Sequence, residues 1–178
     1  MLQKSSISRT AEVFFLNPTK AHYLMDISRK IGVAHTSVKK SLTKLVNLGL
    51  IEEKKEKKGT RIFPVYKAKK EPAFKKYKKL YNLSSVMESK LVEFIEEKLT
   101  PRCIVLFGSY SRGEDTEDSD IDIYVECKKE DLSLRKFEKN LGRKIELHFN
   151  ESFASYPKEL KNNIINGIVL SGFLEGYK

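Results

Sequence analysis

The amino-acid sequence predicts an α+β protein of two domains: a helical N-terminal domain that ends in a β-hairpin, and a C-terminal domain on a small mixed sheet. The charge is divided unevenly, because residues 1–82 hold 20 Lys and Arg against 6 Asp and Glu, whereas residues 83–178 hold 14 against 18. Apolar residues recur at helical spacing in the first half, and short continuous or alternating apolar runs follow in the second. A chain of 178 residues is long enough for two small cores.

Three helices and a hairpin are predicted within residues 1–68. The first helix ends at Asn17-Pro18 and the second at Gly32, since these residues are helix-stop signals. The third lies in VAHTSVKKSLTKLVNLG, and LIEEKKEKKGTRIFPVYKA forms a hairpin whose turn closes at Gly59. The apolar residues of the third helix are expected to face inward: Val38, Leu42, Leu45 and Leu48.

This order of elements resembles the winged helix-turn-helix family of DNA-binding domains. In that family the third helix enters the major groove and the hairpin, or wing, touches the DNA backbone or minor groove. The resemblance implies double-stranded DNA as a partner and a homodimer on a palindromic site. A dimerisation or protein-docking module is the alternative, although the net charge of +14 over residues 1–82 favours nucleic acid. The residues expected at DNA are His35, Thr36, Ser37, Lys39 and Lys40 of the third helix, and Lys54, Lys55, Lys57, Lys58 and Arg61 of the wing.

A lysine-rich connecting helix is predicted over residues 69–83. Its aromatic and apolar residues recur at helical spacing, which indicates a packed helix rather than a flexible tether. Ser85 and Glu88 have the spacing of a capping box, so a new helix is expected to begin with the second domain, residues 84–178. The connecting stripe consists of Phe74, Tyr77, Leu80 and Tyr81.

The run RCIVLFGS predicts a strand buried on both faces that ends in Gly108-Ser109. The glycine permits a tight turn and a close approach of a ligand, and the serine offers a hydroxyl and an amide at the start of a short helix. That arrangement suits a phosphate group. The spacing excludes a Walker loop, since Gly113 is followed by Glu114 rather than by lysine.

The run DIDIYVE predicts a strand that carries Asp120 and Asp122 on one face and isoleucines on the other. Two carboxylates on one strand suit a hard divalent cation, Mg²⁺ or Mn²⁺. A third acid, Glu146, is expected on a neighbouring strand within KIELHF, where His148 is interpreted as a structural or rim residue. Four further acids are expected in a solvated loop: Glu114, Asp115, Glu117 and Asp118.

These motifs follow one another in a fixed order: Gly108-Ser109, ten further residues, Asp120-Ile-Asp122, and a later acid. This order resembles the motif of the DNA polymerase β-like nucleotidyltransferases, and more narrowly that of the minimal nucleotidyltransferases. The resemblance covers residues 84–178. It implies that Gly108 and Ser109, with Arg112, hold the triphosphate, and that Asp120, Asp122 and Glu146 bind the metal and carry catalysis. Glu146 departs from the pattern, in which the third acid is commonly aspartate.

The resemblance implies transfer of AMP from ATP to a hydroxyl of a protein, an RNA or a small molecule. Similar proteins often act as antitoxins that modify a toxin with a HEPN domain, so such a toxin is a candidate partner. Two alternatives stay open: a transcription regulator that only senses nucleotide, and an adaptor that docks proteins. The chain contains two cysteines and no apolar stretch near the roughly 20 residues that span a bilayer, so a cytoplasmic protein without a membrane partner is expected.

Overall fold

The computed structural model describes residues 5–153 and 156–175, except for the side chain of Lys58. Over these residues the chain has an α+β fold with two sheets. It divides into two compact units, Met1–Lys78 and Lys79–Lys178. None of the helices in the described ranges is both long enough and apolar enough to cross a membrane.

In the described residues, the first unit contains three helices, then a two-stranded antiparallel hairpin, and then the beginning of a fourth helix that continues into the second unit. The first helix stops at the Asn17 cap, the second ends at a left-handed Gly32, and the hairpin turns at Gly59, all as predicted. Buried side chains of all three helices form the core, among them Phe14, Ile27 and Leu42. The elements are α1 (Ser6–Leu16), α2 (Leu24–Ile31), α3 (His35–Asn47), β1 (Ile51–Lys58) and β2 (Arg61–Ala68).

Leu48 was expected to face inward, but it is 52% exposed. Helix α3 ends at Asn47, so helical spacing no longer sets the direction of the next side chain. The backbone N–H of Leu50 instead donates to the carbonyl of Leu45 across the turn at Gly49, and Leu50 is the buried residue. The inward prediction is correct for the other three positions of α3.

Helix α4 (Pro72–Ser89) is continuous through the predicted capping box. The Ser85 hydroxyl donates to the carbonyl of Tyr81 at 2.9 Å, one turn earlier, and therefore does not cap a new helix. The break comes at Lys90, whose φ of +64° ends α4 before α5 (Leu91–Leu99) begins. The connecting stripe is also partly wrong, since Tyr77 and Leu80 are exposed.

The second unit contains a four-stranded mixed sheet with the order β5-β4-β3-β6. Strands β3 and β4 are antiparallel, β3 and β6 are antiparallel, and β4 and β5 run parallel. The elements that follow α5 are β3 (Cys103–Phe107), α6 (Gly108–Arg112), β4 (Ile121–Glu126), α7 (Arg135–Leu141), β5 (Ile145–Asn150), α8 (Lys158–Ile165) and β6 (Ile168–Gly172).

The two faces of this sheet pack against different parts of the unit, as the alternation in DIDIYVE predicts. Ile121, Ile123 and Val125 of β4 join a core cluster with apolar residues of α5 and α7. Tyr124 lies in a second cluster with Phe107 and with residues that include Ile164 of α8. Asp122 shares the Tyr124 side of the strand, so its carboxylate lies on the face opposite α5 and α7.

Candidate active site

Gly108 brings the end of β3 against the side chain of Asp122. Phe107, the last residue of β3, pairs with Asp122 of β4, and the chain then turns at Gly108 with a φ of +72°. A β-carbon at this position would lie 2.2 Å from Oδ2 of Asp122. Glycine is therefore required here both by the left-handed backbone and by the carboxylate beside it.

Three polar side chains from β4 and β5 converge at the same place. Asp122 pairs in register with Glu146, and His148 lies two residues further along β5 on the same face. The Nε2 atom of His148 is 3.4 Å from Oδ1 of Asp122 and 4.0 Å from Oε1 of Glu146. One ligand atom from each residue lies within 4.8 Å of the others, so these residues form a candidate metal site.

The donor set and the two distances to His148 suit a divalent cation. Ligands at about 2.1 Å from one octahedral ion are about 3.0 Å apart when adjacent and about 4.2 Å apart when opposite. The two distances to His148 fall within that range, at 3.4 Å and 4.0 Å. Because Gly108 has no side chain, the Asp122 carboxylate can lie against it and beside Glu146 and His148.

Asp120 does not belong to this group among the residues that the structure describes. Strand β4 begins at Ile121, so Asp120 precedes the strand, and its side chain is exposed. It borders an open cleft of about 600 Å³ together with other charged residues, which include Glu138, Arg143 and Lys144. Its predicted role as a metal ligand therefore stays a prediction, and His148 occupies a place that the sequence analysis did not give it.

Ser109 and Arg112 lie in α6, directly after Gly108. Ser109 is half-buried, and its carbonyl accepts a hydrogen bond from the backbone N–H of Glu114 at 3.0 Å. Arg112 is exposed, and its Nε donates to Oε2 of Glu114 at 3.0 Å. The phosphate-binding role expected for Ser109 and Arg112 stays a prediction.

A buried polar network connects α4, the loop after α6 and the residue two positions before β5. The side-chain amide of Asn82 donates to the carbonyl of Tyr110 at 2.9 Å and to Oδ1 of Asp115 at 2.7 Å. Oδ2 of Asp115 lies 3.8 Å from Nη2 of Arg143, and these side chains are 1% and 8% exposed. Burial raises the pKa of the Tyr110 hydroxyl, the charge of Asp115 raises it further, and Arg143 opposes that effect. The network therefore holds α6 and the following loop at a defined position in this unit.

The assignment of Asp115 to a solvated loop is wrong, since this residue is 2% exposed. A carboxylate can be buried here because Asn82 and Arg143 supply a hydrogen-bond donor and a positive charge. Asn82 lies four residues before the buried Val86 on α4, so both residues share one buried face of the helix. A polar residue on that face was the feature of the sequence that could have indicated a buried polar partner. Of the other acids in that stretch, Glu114 and Asp118 are exposed and Glu117 is half-buried.

The residues expected at DNA lie on α3 and on the hairpin of the first unit. On α3 all are exposed except Ser37, which is half-buried. On the hairpin Lys54, Lys55, Lys57 and Arg61 are exposed, whereas the side chain of Lys58 lies outside the described part of the chain. Nζ of Lys54 is 2.6 Å from Oε1 of Glu52, an exposed ion pair. The basic residues are therefore accessible, and their role stays a prediction.

The second half of the chain is similar to known nucleotidyltransferases. Residues 89–172 match the family described as "Polymerase beta, Nucleotidyltransferase". A "putative protein adenylyltransferase" of Methanocaldococcus jannaschii is 40% identical over 83 residues, which cover 41% of this chain and 83% of that protein. The chain belongs to the polymerase beta nucleotidyltransferase family. It is a nucleotidyltransferase, and the converging Asp122 and Glu146 lie within the matched residues.

Two solved structures are similar to about half of this nucleotidyltransferase. A "possible transcriptional regulator" from Methanosarcina mazei Go1 is 13% identical, covers 54% of this chain and 79% of that one, and has a TM-score of 0.38. A mutant of ZitR from Lactococcus lactis is 18% identical, covers 55% of this chain and 67% of that one, and has a TM-score of 0.41. Nucleotidyltransferases of this kind generally use divalent metals, and Asp122, Glu146 and His148 form a group in the described residues that could hold such an ion.

Proposed function

We propose that this nucleotidyltransferase moves AMP from ATP to a hydroxyl group of a protein side chain. The observation that carries the proposal is the approach of Gly108 to Asp122, beside Glu146 and His148. The name of the Methanocaldococcus jannaschii relative favours a protein over an RNA or a small molecule as the acceptor. A protein toxin with a HEPN domain is one acceptor that this proposal admits.

The residues of the site have separate roles in this proposal. Gly108 and Ser109 bind the triphosphate, because the left-handed backbone of Gly108 lies against the Asp122 carboxylate and Ser109 follows it at the start of α6. Arg112 lies one turn of α6 further and contacts a phosphate oxygen when its pair with Glu114 opens. Asp122 and Glu146 hold a divalent cation. Asp120 precedes β4 and turns its exposed side chain toward the same ion when the cation binds.

The reaction is an in-line displacement at the α-phosphorus. The acceptor hydroxyl releases its proton to water as its oxygen forms a bond to that phosphorus. The bond from the phosphorus to the bridging oxygen breaks, and that oxygen leaves with the electron pair as part of pyrophosphate. When bound, divalent cations neutralise the triphosphate charge and lower the pKa of the acceptor hydroxyl. The side chains position these groups, which is the main contribution of a protein to such chemistry.

Labelled ATP tests this proposal. The full chain is incubated with ATP labelled at the α- or the γ-phosphorus, with Mg²⁺ or Mn²⁺, and with an extract of cellular proteins. We expect the α-label to become attached to protein and the γ-label not to do so. Asp122→Asn should abolish the transfer, whereas Asp131→Asn, the same change at an exposed loop position, should retain it. Transfer that persists in Asp122→Asn contradicts the proposal, and nucleotide that binds without turnover favours the sensor alternative.

We further propose that residues 1–68 form a winged helix-turn-helix domain that binds double-stranded DNA. The support is the order of three helices and a hairpin, with an exposed basic surface on α3 and β1. Each lysine that meets a phosphate contributes about 0.9 to the slope of log affinity against log salt concentration. Lys39→Gln combined with Lys40→Gln should therefore lower that slope by about 2, whereas Lys128→Gln, an exposed lysine of the second unit, should leave it unchanged. An unchanged slope in the double variant contradicts this part of the proposal.

A further inference from the structure

His148 faces two carboxylates at the candidate metal site. It lies on β5 two residues after Glu146, and its strand partner on β4 is Tyr124, two residues after Asp122. Its Nε2 atom lies 3.4 Å from Asp122 and 4.0 Å from Glu146. The imidazole therefore points into the space where the two acids converge rather than away from it.

The imidazole ring is held in that direction by an aromatic neighbour. Its centroid lies 5.0 Å from that of Phe107, with the two rings inclined at 65° in an edge-to-face contact. Phe107 is 3% exposed, so it is a fixed partner in the core, and the side chain of His148 is 21% exposed. An edge-to-face contact fixes ring orientation better than open solvent does, so the nitrogen is already aimed when a cation arrives.

The arrangement leaves a place in the ligand set for nitrogen. An octahedral cation has more ligand positions than the three carboxylates of the family pattern fill. Among the described residues, the side chain that lies together with Asp122 and Glu146 is His148. We propose that Nε2 of His148 is a direct ligand of the divalent cation held by Asp122 and Glu146. This inference rests on the proposed function, because that function requires a cation at these carboxylates.

A nitrogen ligand changes which cation the site prefers. Mg²⁺ is a hard ion that favours oxygen donors, whereas imidazole binds the first-row transition metals well. The site should therefore prefer Mn²⁺ to Mg²⁺, and that preference should depend on His148. The alternative is that His148 only donates a hydrogen bond to Asp122 and orients it from outside the ligand shell.

Pulsed electron paramagnetic resonance of Mn²⁺ bound to the full chain separates these two arrangements. A directly bound imidazole gives hyperfine coupling between the metal and ¹⁴N, and the coupling changes to that of ¹⁵N when only histidine is isotopically labelled. We expect this signal in the unmodified protein and its loss in His148→Gln. The chain has three histidines, and His35→Gln, an exposed position in the first unit, is the matched control that should keep the signal.

Calorimetric titration supplies a second measurement. His148→Gln should lower the affinity for Mn²⁺ at least about tenfold and the affinity for Mg²⁺ much less. Bound Mn²⁺ without histidine coupling, or equal losses for both ions, overturns the assignment of His148. In that case Asp122→Asn still tests the proposed function, because loss of Mn²⁺ binding and transfer in that variant supports it. A protein that binds no divalent cation overturns both.

Discussion

Gly108→Ala separates the effect of backbone strain from the effect of displacing Asp122. The residue has a φ of +72°, and a left-handed conformation costs a non-glycine residue about 1–2 kcal/mol. For a unit of about 100 residues, 1 kcal/mol corresponds to a change in melting temperature of about 4–8 °C. Alanine at position 108 should therefore lower the melting temperature by roughly 4–16 °C through strain alone.

The new β-carbon also collides with the Asp122 carboxylate. It would lie 2.2 Å from Oδ2, whereas ordinary contacts begin at 3.4 Å, so that oxygen must move by at least 1.2 Å. The side chain of Asp122 is 27% exposed and can rotate, so we expect little additional loss of stability. The rotation carries the carboxylate away from Glu146 and His148, and a displacement of about 1 Å can cost about 100-fold in rate.

The matched control is Gly142→Ala. Gly142 has a φ of +64°, but a β-carbon there meets no atom within 4 Å. Both variants should lose similar stability in thermal melts followed by circular dichroism, and only Gly108→Ala should lose Mn²⁺ affinity and about 100-fold in transfer rate. Equal metal affinity and equal transfer in the two variants would refute this account of Gly108. A much larger loss of stability in Gly108→Ala would show that the backbone, and not Asp122, moves to relieve the collision.

Three further predictions concern stability and reactivity. Asp115→Ala should lower the free energy of unfolding by about 3–5 kcal/mol in urea denaturation, because it removes a buried carboxylate that accepts from Asn82 and pairs with Arg143. Burial, a hydrogen bond and the charge of Glu53 raise the pKa of Tyr66 to about 12. The unfolded chain loses this proton near pH 10 and the folded chain near pH 12, so melting temperatures should fall over that interval, and less so in Tyr66→Phe. Burial raises the pKa of the Cys103 thiol to about 11, so iodoacetamide should modify the partly exposed Cys127 first in native protein, as mass spectrometry can follow.

Each of these predictions has its own control. Glu114→Ala removes an exposed partner of Arg112 and should cost less than about 1 kcal/mol, so an equal loss in Asp115→Ala would contradict the importance of burial. For Tyr66, the same decline between pH 10 and pH 12 in the phenylalanine variant would assign the effect to other groups. For Cys103, equal rates of modification at both thiols in folded protein would argue against its burial.

Much of the second unit follows from local sequence. The alternation in DIDIYVE correctly predicted that Asp122 and Ile123 lie on opposite faces, because side chains along a strand alternate. The continuous apolar run before Gly108 correctly predicted a strand that is buried throughout. The helix boundary at Ser85 was wrong because a hydroxyl can donate to the preceding turn as well as cap a new helix, and the local sequence does not distinguish these states.

The sequence by itself determined the periods of the strands and helices, the turn at Gly108 and the division of charge between the two halves. These properties depend on neighbours within a few residues, so they can be read from spacing and residue type. The tertiary structure decided which polar side chains meet. His148 meets Asp122, and Asn82 meets Asp115, because strand register and helix packing bring together residues that are 26 and 33 positions apart. No local sequence pattern predicts these contacts, because they form only when the separate strands and helices pack together around one core.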